Sequence, residues 1–148
     1  MNGKERVDKE EMVVKKWEIA VIPGDGIGKE VVPAALDVLR AVADVHGGMT
    51  VSFTEFPWSC DYYVEHGKMM PDDGLSILRN FDAIFLGAVG NPALVPDHIS
   101  LWGLLLKIRR EFEQVINIRP AKYFRGLSSP LAEPHEFDFI VVRENSEG

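Results

Sequence analysis

Four short apolar runs each lead the chain into a glycine-bearing turn or an arginine, and this pattern most restricts its possible folds. Trp17 to Ile22 runs into Pro23-Gly24-Asp25-Gly26-Ile27-Gly28, and Phe81 to Leu86 into Gly87-Ala88-Val89-Gly90-Asn91-Pro92. Val115 to Ile118 ends at Arg119, which Pro120 biases to an extended conformation, and Phe137 to Val142 ends at Arg143. Between the first runs, Val31, Val32, Ala35, Leu36, Val38, Leu39 and Val42 have helical spacing, and the helix they predict stops near Gly47-Gly48. Met49 to Phe56 alternates as a second strand. Leu75, Ile77 and Leu78 mark a short helix, with Asp72 or Asp73 as its N-cap. Strands alternating with helices predict an α/β fold with a mainly parallel sheet and flanking helices. Such folds take ligands beyond the carboxyl ends of their strands, where the glycine turns and arginines stand. The segment 57–63 gives no clear element, and 121–136 is expected to be irregular.

The first glycine turn invites a dinucleotide reading, but its spacing is not that of a Rossmann fingerprint. Lys29 stands where the third glycine belongs, and Asp25 would set a negative charge beside a pyrophosphate. A tight strand-to-helix turn that lets a ligand approach the backbone is the expectation instead.

The stretch Ser100 to Pro120 is the most informative about ligands. Leu101, Leu104, Leu105, Ile108 and Phe112 predict an amphipathic helix with Ser100 capping its first turn, and Trp102, Leu106 and Arg109 are expected on a neighbouring face. Arg109 and Arg119 would then sit on a helix end and a strand end, able to converge on one anion. Arginine is suited to gripping a carboxylate through two parallel hydrogen bonds.

Other functions find little support. A net charge of -7 and a pI near 5.1 argue against nucleic acid and anionic membrane partners. No apolar run approaches a membrane span, and a cytoplasmic location is expected. Cys60 is the only cysteine and is expected to be a buried small hydrophobe. The four histidines match no ligand spacing, and Ser128, Ser129 and Ser146 lack the flanks of a nucleophile elbow. No catalytic residue and no metal ligand is assigned in the chain. Residues 1–16 form a polar N-terminal tail, within which Met12 is a candidate native start.

Five ordered motifs carry a resemblance. Pro23 to Gly28, Leu86 to Pro92, Leu105-Leu-Lys-Ile-Arg109, Asn117-Ile-Arg-Pro-Ala-Lys122 and Val141-Val-Arg-Glu-Asn-Ser-Glu-Gly148 follow the order seen in the β-decarboxylating dehydrogenases of isopropylmalate, isocitrate, homoisocitrate, tartrate and D-malate. The match covers Trp17 to Gly148. Phe56 to Tyr63, His66 to Pro71 and Val95 to Gly103 look most like the decarboxylating tartrate/D-malate dehydrogenase branch.

The resemblance implies an isopropylmalate dehydrogenase-like α/β fold, not Rossmann and incomplete in this chain. Residues 17–114 would be the first part of the large domain and 115–148 the truncated start of a second. It implies hydride transfer from the hydroxyl-bearing carbon to NAD, then decarboxylation of the β-keto acid with Mg2+ or Mn2+ stabilising the enolate. Arg109, Arg119 and Arg143 would grip the substrate carboxylate, and Ile27, Ala88, Val89 and Gly90 would lie by the nicotinamide. Trp102, Leu105 and Leu106 would read the group that distinguishes substrates. They offer no hydroxyl or cation for isocitrate's extra carboxylate, and Trp102 leaves less room for an isopropyl group, so a small C4 2-hydroxy diacid is expected.

Family members are well over twice as long. The chain is therefore expected to be the N-terminal portion of an enzyme that is a homodimer when complete, with metal ligands beyond residue 148 and no turnover by the isolated chain. The alternatives are 3-isopropylmalate dehydrogenase and a non-catalytic remnant of the family.

Overall fold

The computed structural model describes residues 14–128, 130, 131 and 136–145. Most of the N-terminal tail with Met12, and also Ser129, His135 and Ser146, lie outside the described residues. The chain divides between Leu104 and Leu105 into two compact units.

The first unit is built on strand β1 (Lys15–Gly24), which lies between β2 (Met49–Glu55) and β3 (Ala83–Ala88) in a parallel sheet of order β2-β1-β3. The register pairs Ile19 with Phe53 and Gly24 with Ala88. Central position explains the unbroken apolar run: Ala20, Val21 and Ile22 are all fully buried, as expected for a strand covered on both faces. Helix α1 (Gly28–His46) crosses from β1 to β2 and packs Val32 and Leu36 on Val21, with Ile19, Leu39, Phe53 and Phe85 around them. It ends where expected, with Gly47 in the left-handed conformation (φ 69°) and its N–H on the Ala43 carbonyl at 3.1 Å. Its outer side leaves Val31, Val38, Val42 and Val45 exposed.

The segment without a sequence assignment contains helix α2 (Cys60–His66). Ser59 caps it, its hydroxyl accepting from the Tyr62 N–H at 3.1 Å. Helix α3 (Gly74–Leu78) begins after Asp73, but the Asp73 side chain makes no capping bond and Asp72 pairs with Lys68 at 2.7 Å. The N-cap thus falls on Asp73, one of the two aspartates expected there, although its carboxylate does not make the capping bond. Buried Trp58, Met69, Met70, Leu78, Val95 and Leu104 extend the interior of this unit.

Helix α4 (Asp97–Ser100) starts four residues earlier than the sequence suggests and passes into a π-helical turn, Leu101–Leu105. Ser100 is fully buried inside it, its hydroxyl on the Asp97 carbonyl at 3.4 Å, so it is not the cap. Gly103 lies in the π turn, where a Cβ would come within 2.8 Å of Met69 Cγ. No helix among the described residues is long and apolar enough to cross a membrane.

The second unit holds helix α5 (Leu106–Glu111) and an antiparallel ribbon of β4 (Ile116–Lys122) and β5 (Asp138–Glu144). Both strands run past the arginines at which the sequence reading stopped them. Pro120 sits within β4, which a two-stranded ribbon tolerates because a free edge needs no N–H. One face carries Ile116, Ile118, Ile140 and Val142, all more than half exposed.

Candidate functional site

At the carboxyl ends of β1 and β3 the two glycine turns meet. Here the glycines fall into two classes. A Cβ on Gly24 would lie 2.1 Å from the Ala88 carbonyl oxygen, one on Gly28 2.1 Å from the Pro23 oxygen, and one on Gly87 2.3 Å from that same oxygen. These three allow the turns to touch. Gly26 (φ 48°) and Gly90 (φ 129°) have nothing within 4 Å on the Cβ side, so they serve backbone conformation in open space.

Asp25 does not stand before a ligand. It is 4% exposed, and its carboxylate accepts from the Cys60 N–H at 2.8 Å and the Gly90 N–H at 2.9 Å. Its own N–H donates to the Ala88 carbonyl at 2.6 Å. The sequence reading weighed this charge against a pyrophosphate, and no spacing rule revealed that backbone donors from two distant segments would enclose it. Ile27, two residues on, is 59% exposed, while Ala88, Val89 and Gly90 are half-buried.

A cavity of about 480 Å3 opens beside this turn between the ends of β1 and β2. It contains the Lys29–Asp61 ion pair (2.5 Å) and the stacked Tyr62 and His66 rings, 4.0 Å apart. Pro23, Gly24, Lys29 and His66 were named in the sequence for other reasons, but no spacing brought them together as a cavity, because its lining comes from separate segments.

In the second unit, strand alternation gathers two of the arginines. Arg119 lies opposite Val141 and Arg143 opposite Asn117, so the two guanidinium-bearing side chains are diagonal neighbours on one face. They line a hollow of about 400 Å3 with Pro120, Ala121, Phe139 and Val141. Among the described residues neither is paired with a carboxylate, although Lys122 on the opposite face is held by Asp138 at 2.9 Å. Arg109, on α5, lines a different hollow of about 410 Å3 with Arg110, Glu113, Gln114, Val115 and Asn145. Asn145 extends the ladder beyond β5: its N–H donates to the Val115 carbonyl and its side-chain amide to the Gln114 carbonyl, both at 3.0 Å. Glu113 takes a left-handed conformation (φ 49°) to turn the chain from helix to strand.

Trp102 is half exposed, and Leu105 and Leu106 are half-buried. The helical count that set Trp102, Leu106 and Arg109 on one face assumed 3.6 residues per turn, and the π turn removes that assumption. Among the described residues no group of three His, Cys, Asp or Glu could hold a metal ion.

Cys60 is fully buried, and burial first, then its hydrogen bond with Asp25, push its thiol up to about 11. Because the unfolded thiol titrates near 9.0, the unfolded chain sheds this proton first. Stability is therefore expected to fall as pH rises from about 9 towards about 11, with no contribution from this group below that window. Iodoacetamide at pH 8 should leave Cys60 unmodified in the folded protein and alkylate it in urea. Equal rates in the two states would contradict the burial.

The isocitrate/isopropylmalate dehydrogenase family profile matches residues 18–148. A probable tartrate dehydrogenase/decarboxylase of Bacillus subtilis (strain 168) is 69% identical over 137 residues, spanning 93% of this chain and 39% of that protein. The decarboxylating D-malate dehydrogenase of Escherichia coli (strain K12) is 57% identical, with 92% and 38% covered. Among solved structures, isocitrate dehydrogenase from Methylococcus capsulatus superimposes with a TM-score of 0.67 at 28% identity, over 89% of this chain and 35% of that one. The chain thus spans about two fifths of the length of the curated relatives it matches.

Proposed function

The chain belongs to the isocitrate/isopropylmalate dehydrogenase family, and on that premise we propose that it supplies the N-terminal share of an NAD- and divalent-metal-dependent enzyme that oxidatively decarboxylates a small 2-hydroxy diacid of the D-malate or tartrate type. The observation that carries this reading is the Arg119–Arg143 pair: two guanidinium groups on one sheet face, with no carboxylate partner among the described residues. Two like charges left side by side repel, and a dianionic ligand relieves that repulsion while accepting their hydrogen bonds.

In this reading Arg119 and Arg143 bind and orient a substrate carboxylate, and Arg109 adds a third cation from α5. Ile27 and the Ala88-Val89-Gly90 turn would hold the nicotinamide half of NAD, which accepts hydride from the hydroxyl-bearing carbon. The open Cβ side of Gly90 and the exposure of Ile27 fit a flat ring lying against the backbone. Trp102, Leu105 and Leu106, which include no cation or hydroxyl, favour a short diacid over isocitrate. The divalent ion, Mg2+ or Mn2+, is assigned no ligand in this chain. The complete enzyme is read as a homodimer.

The test is to assay the complete polypeptide carrying these residues with D-malate, tartrate and 3-isopropylmalate, in the presence of NAD and Mn2+. NADH formation with release of carbon dioxide, at a kcat/KM about tenfold or more higher for a C4 diacid than for isopropylmalate, is the expected result. Preference for isopropylmalate would overturn the substrate class. No NADH from any of the three would overturn the reaction.

A further inference from the structure

We propose that Asp25 is the positioning residue of the cofactor turn, an inference that rests on the NAD reading above. A carboxylate at 4% exposure is costly to bury unless its oxygens are satisfied, and both are taken by backbone N–H groups, of Cys60 and Gly90. The Asp25 N–H holds the Ala88 carbonyl at 2.6 Å while its side chain holds the Gly90 N–H at 2.9 Å. One residue thus grips the turn on either side of Val89.

Among the described residues the other acceptor that meets the Gly90 N–H is the Cys60 thiol, a weak one beside a carboxylate. Gly90 stands at φ 129° with open space on its Cβ side, so side-chain packing does not set its place. Cys60 differs, because helix α2 keeps the Ser59 cap on the Tyr62 N–H even without Asp25. An asparagine at position 25 presents one oxygen where two N–H groups need one each. Whichever way the amide turns, an N–H faces an N–H. The loss falls on the segment with less to hold it, which is the Gly90 turn. Asp25 does not touch the reacting atoms in this scheme and acts through the backbone it fixes.

The experiment compares the unaltered complete protein with Asp25→Asn by calorimetric titration of NAD, steady-state kinetics, and amide hydrogen exchange of residues 88–91 without cofactor. Asp25→Asn is expected to raise the NAD dissociation constant about ten- to hundredfold and to speed exchange in the turn. The kcat at saturating NAD should stay within about threefold, and the diacid KM should not move. Unchanged NAD affinity would overturn the proposal, as would a parallel fall of every parameter together with the melting transition, which would mark a merely structural residue. If Asp25→Asn does not fold, Gly90→Ala disturbs the same turn without entering a packed space, and unchanged NAD affinity in that variant would overturn the proposal equally. An unaltered protein that binds no NAD would overturn the functional reading and this inference with it, whereas normal binding in both proteins defeats the inference alone.

Discussion

Replacing Gly24 by alanine is expected to destabilise the protein by about 4 kcal/mol, a large share of the roughly 5–15 kcal/mol that holds a domain together. Two costs add. Gly24 has φ 74°, a conformation that costs an L side chain about 1–2 kcal/mol. The new Cβ would also lie 2.1 Å from the Ala88 oxygen and 2.9 Å from its carbonyl carbon, and backbone cannot swing aside as a side chain can. Gly24 and Ala88 are register partners in the sheet, and the same Ala88 oxygen accepts the Asp25 N–H at 2.6 Å. Relief therefore means parting β1 from β3 where the glycine turns meet, at about 1–3 kcal/mol or more for an overpacked site. Gly26 is the internal control. It too has positive φ (48°), but nothing lies within 4 Å, so Gly26→Ala carries only the conformational cost of about 1–2 kcal/mol. Urea titrations of the two variants measure the difference, and equal midpoints would contradict the packing argument.

That contrast shows what a sequence can and cannot disclose. The family and the parallel sheet were legible because the apolar runs 17–22 and 81–86 and the glycine turns after them are local patterns. The failure of the Rossmann spacing at Lys29 was equally local, and it rightly steered the reading to a tight strand-to-helix turn. Which glycine touches backbone and which faces open space depends on β1 and β3 being neighbours 64 residues apart, as Gly24 and Ala88 are. The use of Asp25 depends on the same neighbourhood. Helix α2 was missed although Ser59 and Asp61 gave a usable start signal, because its seven residues include aromatics that blur the helical period. The run 137–142 read as a strand end feeding Arg143. Only the antiparallel pairing with β4 shows that Arg143 lies inside the strand and shares a face with Arg119. The π turn at 101–105 leaves no mark that a 3.6-residue count can detect.

The arginine pair carries the second large effect, this time on function rather than folding. Substituting Arg119 and Arg143 together by methionine is expected to lower kcat/KM for the diacid about 10³- to 10⁴-fold, from the loss of charge-assisted hydrogen bonds worth about 1.5–3 kcal/mol each. Folding should be nearly untouched. Both side chains are exposed on a two-stranded ribbon, and surface positions outside a packed network usually change stability by less than about 0.5 kcal/mol. Removing two like charges from one face even relieves repulsion, so a small gain in melting temperature accompanies the loss of activity. Each single variant should lose much of what the double loses, because diagonal neighbours that share one anion act as a unit and their effects do not add. Arg119→Lys and Arg143→Lys distinguish charge from geometry. Lysine keeps the cation but not the planar fork, so a loss of at least about tenfold is expected for either if the carboxylate is held by two parallel bonds. NAD affinity, which depends on the first unit's glycine turns in this reading, should stay the same throughout the series. The assay pairs kcat/KM for D-malate with calorimetric NAD binding and a thermal melt. A double variant that keeps its kcat/KM within about threefold would remove the diacid from this face of the ribbon, and with it the observation on which the proposed function stands.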